Sequence, residues 1–240
     1  MKASVIIPVF NERESLPLVV ADVPRGLVAE IVVVDNGSTD GTGRIARGLP
    51  VRLIHETRRG YGSACLAGLA ALEASPPDVV VFLDGDYSDH PEEMPSLLAA
   101  IAAGADLVIG SRTLGRREPG ALLPQARFGN LLACFLIRIL YGHRYTDMGP
   151  FRAIRWDACR RLNMQDTDFG WTCEMQVKAV REGLQVTEVP VSYRRRVGVS
   201  KITGTVSGTL RAGYKILWTI ARYGPLNVKR KTENGKRRAL

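Results

Sequence analysis

Short apolar runs recur through the first half of the chain, separated by stretches of helical spacing. The runs are Val5–Val9, Ile31–Val34, Val51–His55, Val79–Leu83 and Leu107–Gly110. Unbroken runs of this length suit strands buried on both faces. Pro8 and Asn11 mark the end of the first run, and Asp35 the end of the second. Between the runs, Glu14–Val23, a segment running to Leu49, Gly60–Ala74 and Pro91–Ala103 read as helices. Asp40, in the turn Asn36–Gly41, is placed to cap the second helix, and Pro91 suits the first turn of the fourth. Five alternations of strand and helix predict an α/β fold with a mostly parallel, Rossmann-like sheet flanked by helices.

The rhythm changes after Ser111. Arg112–Pro124 is rich in Arg, Gly and Pro and reads as a mobile loop. Gln125–Tyr141 reads as a helix that is apolar on nearly every side. A short strand over Asp147–Ile154, a helix to Leu162, a helix over Trp171–Glu182 and a strand over Val186–Tyr193 follow. Arg194–Gly204 is a basic, glycine-bearing loop, and Val206–Tyr223 is a last, amphipathic helix. Lys229–Leu240 has the composition of a disordered tail. The expected organisation is one domain over 1–223, with a break near residue 111 between two halves, and a basic tail over 224–240.

The formal net charge of +9 narrows the ligand classes to nucleotides, phosphorylated substrates, anionic membranes or nucleic acid. No basic strand is rich in aromatic residues, which argues against RNA recognition. Cys65, Cys134, Cys159 and Cys173 lack Cys-x-x-Cys spacing, so buried or free thiols in a reducing compartment are expected. Met1 runs almost directly into a strand, so no signal peptide is expected. No apolar stretch reaches the ~18–20 residues that span a bilayer. Leu131–Leu140, the best candidate, is broken by Arg138.

The candidate chemistry starts at Asp84-Gly85-Asp86, directly after the fourth strand. Such a strand delivers these residues to the carboxyl edge of the sheet, where open α/β folds bind ligands. Two carboxylates beside a diphosphate suit Mg²⁺ or Mn²⁺; taken alone, the pair also reads as a cap for the next helix. Glu12 and Asp35 end neighbouring strands and could bond a ribose and a base. The first strand is followed by Pro8-Val9-Phe10-Asn11-Glu12 and not by Gly-x-Gly-x-x-Gly, which argues against a dinucleotide site of the NAD type.

In order, these stretches resemble a family 2 glycosyltransferase of the GT-A fold: Pro8–Glu12, Asp35–Gly41 and Asp84–Asp86. Gly110–Arg112, Thr146–Arg152, Phe169–Met175 and Arg194–Lys201 are similar to the dolichyl- or polyprenyl-phosphate sugar transferase branch. The resemblance implies an inverting transfer from a UDP- or GDP-sugar to a polyprenyl phosphate, dependent on Mg²⁺ or Mn²⁺. It implies that Pro8, Phe10, Glu12 and Asp35 hold the nucleoside, with Asp84 and Gly85 near the ribose. Asp86, with Asp84 and Ser88, would hold the metal. The segment Arg58–Ser63, with Arg59 and Gly62, opens a helix and could also face the donor phosphates; a basic surface turn is the plainer reading.

The acceptor phosphate of that branch needs no strong base, only a cationic cradle that offsets repulsion between phosphates. Arg112, Arg127, Arg196 and Lys201 match its basic positions, and arginine suits bidentate phosphate contacts. A soluble transferase with a hydroxyl acceptor is the alternative, and it would need Asp168 or Glu174 as base. In the last helix, Arg211, Lys215, Trp218 and Arg222 fall on one stripe, while Leu210, Gly213, Leu217 and Ile220 fall opposite. That stripe suits peripheral contact with an anionic headgroup layer at the cytoplasmic face of the plasma membrane, or a merely solvated basic face. No nucleic-acid partner is expected.

Overall fold

This computed structural model describes residues 1–198 and 206–223, with 206–212 described by backbone alone. Seven strands form one sheet: β1 (Ala3–Val9), β2 (Val28–Asp35), β3 (Arg52–His55), β4 (Val79–Phe82), β5 (Leu107–Ser111), β6 (Arg152–Arg155) and β7 (Val186–Pro190). Their order is β3-β2-β1-β4-β6-β5-β7. All neighbours pair in parallel except at β6, which runs antiparallel to both β4 and β5. Pro8 does not stop β1; it pairs in register with Val34. Ile6 accepts the Leu83 N–H from the β4 side, so Pro8, two residues on, also faces β4. The β1–β4 register ends at Ile6 and Phe82, so the missing proline N–H breaks no ladder bond.

The helices are α1 (Leu16–Asp22), α2 (Thr42–Arg47), α3 (Tyr61–Leu72), α4 (Met94–Ala102), α5 (Pro124–Tyr141), α6 (Trp156–Leu162), α7 (Trp171–Arg181) and α8 (Val206–Arg222). Alternate strand residues feed two cores. Ile6, Val34, Phe82 and Ile109 pack with α3, α5, α6 and α7 on one face, while Ile7, Val33, Val81 and Val108 pack with α1 and α4 on the other. Burial on both faces explains why these strands carry no polar alternation. The expected strand over Asp147–Ile154 is shorter: residues 147–151 form a loop, and only Arg152–Arg155 pairs in the sheet. Arg152 is fully buried and donates to the carbonyls of Gly149 and Thr172, which fastens that loop to α7.

Candidate active site

The chain leaves β1 for β2 and β3 on one side, then returns to β4 on the other. The crevice at this reversal, at the carboxyl ends of β1 and β4, is where open α/β sheets take ligands. A cleft of about 580 Å³ lies there, lined among others by Pro8, Phe10, Glu12, Asp84, Asp86 and Arg196. Gly85 sits between the carboxylates because a Cβ would lie 2.6 Å from Val9 Cγ1. Opposite, Arg59 stacks 3.8 Å from the Phe10 ring centroid and donates to the Asn36 carbonyl. Asn36 in turn receives the Gly60 N–H and donates to the Glu56 and Arg58 carbonyls, fixing the entry to α3.

The carboxylates are held differently. Asp86 Oδ1 accepts both the N–H and the hydroxyl of Ser88, and Oδ2 lies 3.2 Å from Arg196 Nη1. Arg196 Nη2 reaches Glu12 at 2.9 Å, and Glu12 also accepts from Ser15. Asp84 Oδ1 is buried with no hydrogen-bond partner. Burial and the neighbouring Asp86 push the Asp84 carboxyl up to about 7, against a bond from the Tyr61 phenol that favours its charge. Asp89, almost fully buried behind them, is also pushed up, by burial and by both aspartates, and its Oδ1 is likewise unpartnered. Among the described residues, no three His, Cys, Asp or Glu side chains already form a metal site. Asp84 and Asp86 nonetheless fit a divalent cation. Asp84 Oδ1 is a buried hard donor without a partner, and a positive charge is what relieves its raised pKa. Ser88 is bound to Asp86, so it orients the carboxylate.

A ribbon from the second half delivers Arg196. Tyr193 bridges Asp89, the Arg194 N–H donates to the Ser88 carbonyl and the Val197 N–H to the Asp86 carbonyl. Arg194 stacks 3.4 Å from the Tyr87 ring centroid and donates to the Tyr87 carbonyl. Tyr87 itself has φ 65°, a left-handed geometry that a tyrosine rarely adopts. The aspartate loop and the basic ribbon therefore brace one another.

Several expected residues lie elsewhere. Asp35 does not line the main cleft; it accepts the Ser38 N–H and borders an adjacent groove with His55. Gly62 is buried against Asp166, whose carbonyl a Cβ would overlap, so it packs the loop and does not face the cleft. Arg112 is buried in a bidentate pair with Asp147, which also accepts its N–H. Burial opposes the Arg112 charge, but Asp147 holds its pKa above the ordinary value. Arg127 is exposed on the first turn of α5 and does not line the cleft. Lys201 lies outside the described residues, as does the Lys229–Leu240 tail.

Two expectations are corrected. Glu174 does not line the cleft: it is fully buried, accepts the Gln165 and Asp166 N–H groups and the Tyr223 hydroxyl, and pairs with Lys178. Asp168, by contrast, does line the cleft. The α8 stripe differs in part: Trp218 and Arg222 are exposed and Ile220 is buried as expected, but Lys215 reaches Asp166 at 3.1 Å and Leu217 is exposed.

Residues 4–162 match the family model described as Glycosyl transferase family 2. The chain belongs to glycosyl transferase family 2. An uncharacterized glycosyltransferase of Mycobacterium tuberculosis is 38% identical over 213 residues, covering 87% of this chain and 93% of that protein. The polyprenol monophosphomannose synthase of Mycolicibacterium smegmatis is 36% identical, covering 84% of this chain and 81% of that protein. The undecaprenyl-phosphate mannosyltransferase of Micrococcus luteus is 36% identical, covering 87% and 90%. The chain thus falls with the polyprenyl-phosphate sugar transferases of family 2. In fold it is similar to the glucosyl-3-phosphoglycerate synthase of Mycobacterium tuberculosis, solved with Mn²⁺, uridine diphosphate and phosphoglyceric acid. The TM-score is 0.73 at 21% identity, covering 92% of this chain and 78% of that one, which establishes the GT-A fold.

In this family 2 transferase, sequence reasoning passed over Asn36, Tyr61, Asp89 and Asp147. Asp89 had a signal: it is a third carboxylate, five residues after Asp84. Tyr61 stood inside a segment read for its amides and arginines. Asp147 stood inside a quoted motif, yet nothing local pairs it with Arg112, 35 residues away.

Proposed function

We propose that this glycosyltransferase moves a hexose from a UDP- or GDP-sugar to a polyprenyl phosphate, with inversion and with a divalent cation, on the cytoplasmic face of the membrane. The observation that carries the acceptor is the 36% identity to two proteins named for polyprenyl-phosphate mannosyl transfer, each over more than four fifths of this chain. Both names contain mannose, so mannose is the first sugar to test. The cleft is in keeping with this reading. Phe10 with Arg59 offers a stacking wall for a base, while Pro8, Glu12 and Gly85 line the approach to the ribose and diphosphate. Asp35 would act from the rim through the loop it fastens. Asp84 and Asp86 would hold Mg²⁺ or Mn²⁺, which when bound supplies Lewis-acid stabilisation of the leaving nucleoside diphosphate.

Arg196 gives the reaction its order. Before the donor binds, it satisfies Glu12 and Asp86. With Asp86 engaged at the donor, the Arg196 guanidinium would be available to an entering phosphate, the group whose repulsion must be offset. Arg127 and Lys201 would complete that cradle. Arg112, locked to Asp147, would shape the cradle wall and present an edge of its guanidinium. The reading treats 1–223 as one unit, with the donor half near 1–111 and the acceptor half near 112–223. If the acceptor is a hydroxyl instead, Asp168 is the one of the two expected bases that lines the cleft, and it would take that role.

The test is direct. The full chain is incubated with a panel of UDP- and GDP-sugars, Mg²⁺ or Mn²⁺ and a short polyprenyl phosphate, and lipid-linked sugar is measured. Transfer that needs both the phosphate and the cation is expected. Equal transfer to the corresponding polyprenol would overturn the phosphate reading in favour of the hydroxyl alternative.

A further inference from the structure

The loop between α6 and α7 brings into the cleft a carboxylate for which a phosphate acceptor leaves no task. Asp168 and Phe169 line the cleft together with Tyr61 and Asp84. Their loop is fastened from several sides. The Thr167 carbonyl accepts the N–H and the hydroxyl of Ser63 at the start of α3. Gly60 makes room for that approach, since a Cβ there would overlap the Thr167 carbonyl. The Asp168 N–H donates to the Asp166 carboxylate at 2.8 Å, and the Asp168 carbonyl accepts the Trp171 N–H. Asp166 is itself paired with Lys215 of α8. With its backbone bonded on both sides, Asp168 enters the cleft at a fixed place. A polar group held in place is what discrimination between similar substrates needs.

Chemistry narrows what this residue can face. Under the proposed function the cleft receives a nucleoside, a diphosphate, a sugar and an acceptor phosphate. An ionised carboxylate accepts hydrogen bonds and donates none, so it repels both phosphate groups. The nucleoside already has a wall from the first half of the chain, where Arg59 stacks on Phe10. The sugar remains. Its ring hydroxyls are donors that a carboxylate accepts, and its carbon face is apolar enough to lie against an aromatic ring. We propose that Asp168 selects the hexose of the donor, accepting hydrogen bonds from ring hydroxyls while Phe169 packs against the carbon face. The inference deepens the nucleotide-sugar reading and rests on it. It also parts Asp168 from the role of base. Loss of a base lowers kcat, whereas loss of a group that holds the sugar alike in the ground and transition states weakens donor binding.

The test is calorimetric titration of the full chain and of Asp168→Asn with GDP, UDP, GDP-mannose, GDP-glucose, UDP-glucose and UDP-galactose, all in Mn²⁺. Wild type is expected to prefer one hexose over its epimer on the same nucleotide. In Asp168→Asn, affinity for the preferred donor should fall roughly tenfold or more, and the preference between epimers should shrink toward one. Affinity for the bare nucleoside diphosphate and the melting temperature should stay as in wild type. A folded variant that keeps wild-type donor affinity and preference overturns the proposal. If transfer collapses while donor affinity and preference hold, Asp168 acts as a base and the proposal falls to the hydroxyl-acceptor alternative. If affinity for the bare diphosphate falls as far as affinity for the donor, Asp168 serves the nucleoside and the proposal falls again. Protein that binds none of these nucleotides overturns the donor reading and this inference with it. If the sugar preference is found and depends on Asp168 but no sugar reaches a polyprenyl phosphate, the assignment of Asp168 stands and the proposed acceptor falls.

Discussion

The two sides of the cleft are built by different means. On the donor side, Phe10, Glu12, Asp84 and Asp86 follow directly from the ends of β1 and β4, two parallel neighbours at the centre of the sheet. Their positions depend on where a buried strand stops. The other side is supplied by the second half of the chain, where Arg196 lines the cleft and Arg112, Asp147 and Glu174 lie behind it, each set by partners far away in sequence: Arg112 by Asp147, Arg196 by Glu12, 184 residues distant, and Glu174 by Tyr223. On the first side Asp84 Oδ1 is left without a partner, while Glu12 and Asp86 are both paired with Arg196 from the second. A charged residue at a motif position is therefore either open to a ligand at once, as Asp84 Oδ1 is, or must first exchange a partner inside the protein, as Asp86 and Arg196 must.

The comparison is broken most forcefully at Asp86. Asp86→Ala removes the anchor of the cation and the partner of Arg196, and should lower kcat by roughly a thousandfold or more while the fold survives. Steady-state rates alongside a melting curve check this; near-wild-type turnover with the same metal dependence would remove the assignment. Glu174→Ala should act the other way, on the fold. It leaves Lys178 without its carboxylate and two loop N–H groups unpaired, a loss of about 3–5 kcal/mol. Chemical denaturation should show that loss at Glu174, while Asp168→Asn melts close to wild type.

Arg127→Ala sharpens the contrast more gently. A charge-assisted phosphate bond contributes about 1.5–3 kcal/mol, so kcat/KM on a polyprenyl phosphate should fall roughly ten- to a few-hundred-fold. Affinity for nucleoside diphosphate should hardly change; a loss there would move Arg127 to the donor side. The smallest effect is on pH and stability. Asp84 titrates at about 7 in the folded chain against an ordinary 3.8, so the folded state holds its proton more tightly than the unfolded one. The stability that this adds is present below the ordinary value and is lost as pH rises through about 7. Asp84→Asn should therefore melt roughly 2–6 °C above wild type near pH 8, with the gap closing toward pH 4. A gap independent of pH would show that Asp84 is not the group titrating.

Much was settled by the sequence alone. Buried parallel strands need apolar residues on both faces, so β1, β2, β4 and β5 stood out as unbroken runs, and the acidic residues after β1 and β4 fell at the edge where ligands bind. Helix boundaries followed from the same contrast, and the family from ordered motifs at those ends. Three matters were left to the tertiary structure. Antiparallel β6 lies between β4 and β5, a placement governed by long-range pairing that no local period encodes. The orientation of α8 could not be read from its pattern, because apolar residues stand on two of its sides; the buried Asp166 carboxylate decided it by drawing Lys215 inward. The status of each charge, with Glu174 buried and saturated and one Asp84 oxygen buried without a partner, depended on which distant groups the fold brought within hydrogen-bond reach. Sequence reports which side chains carry charge, but desolvation and pairing depend on three-dimensional neighbours, and they determine which of those charges can act on a substrate.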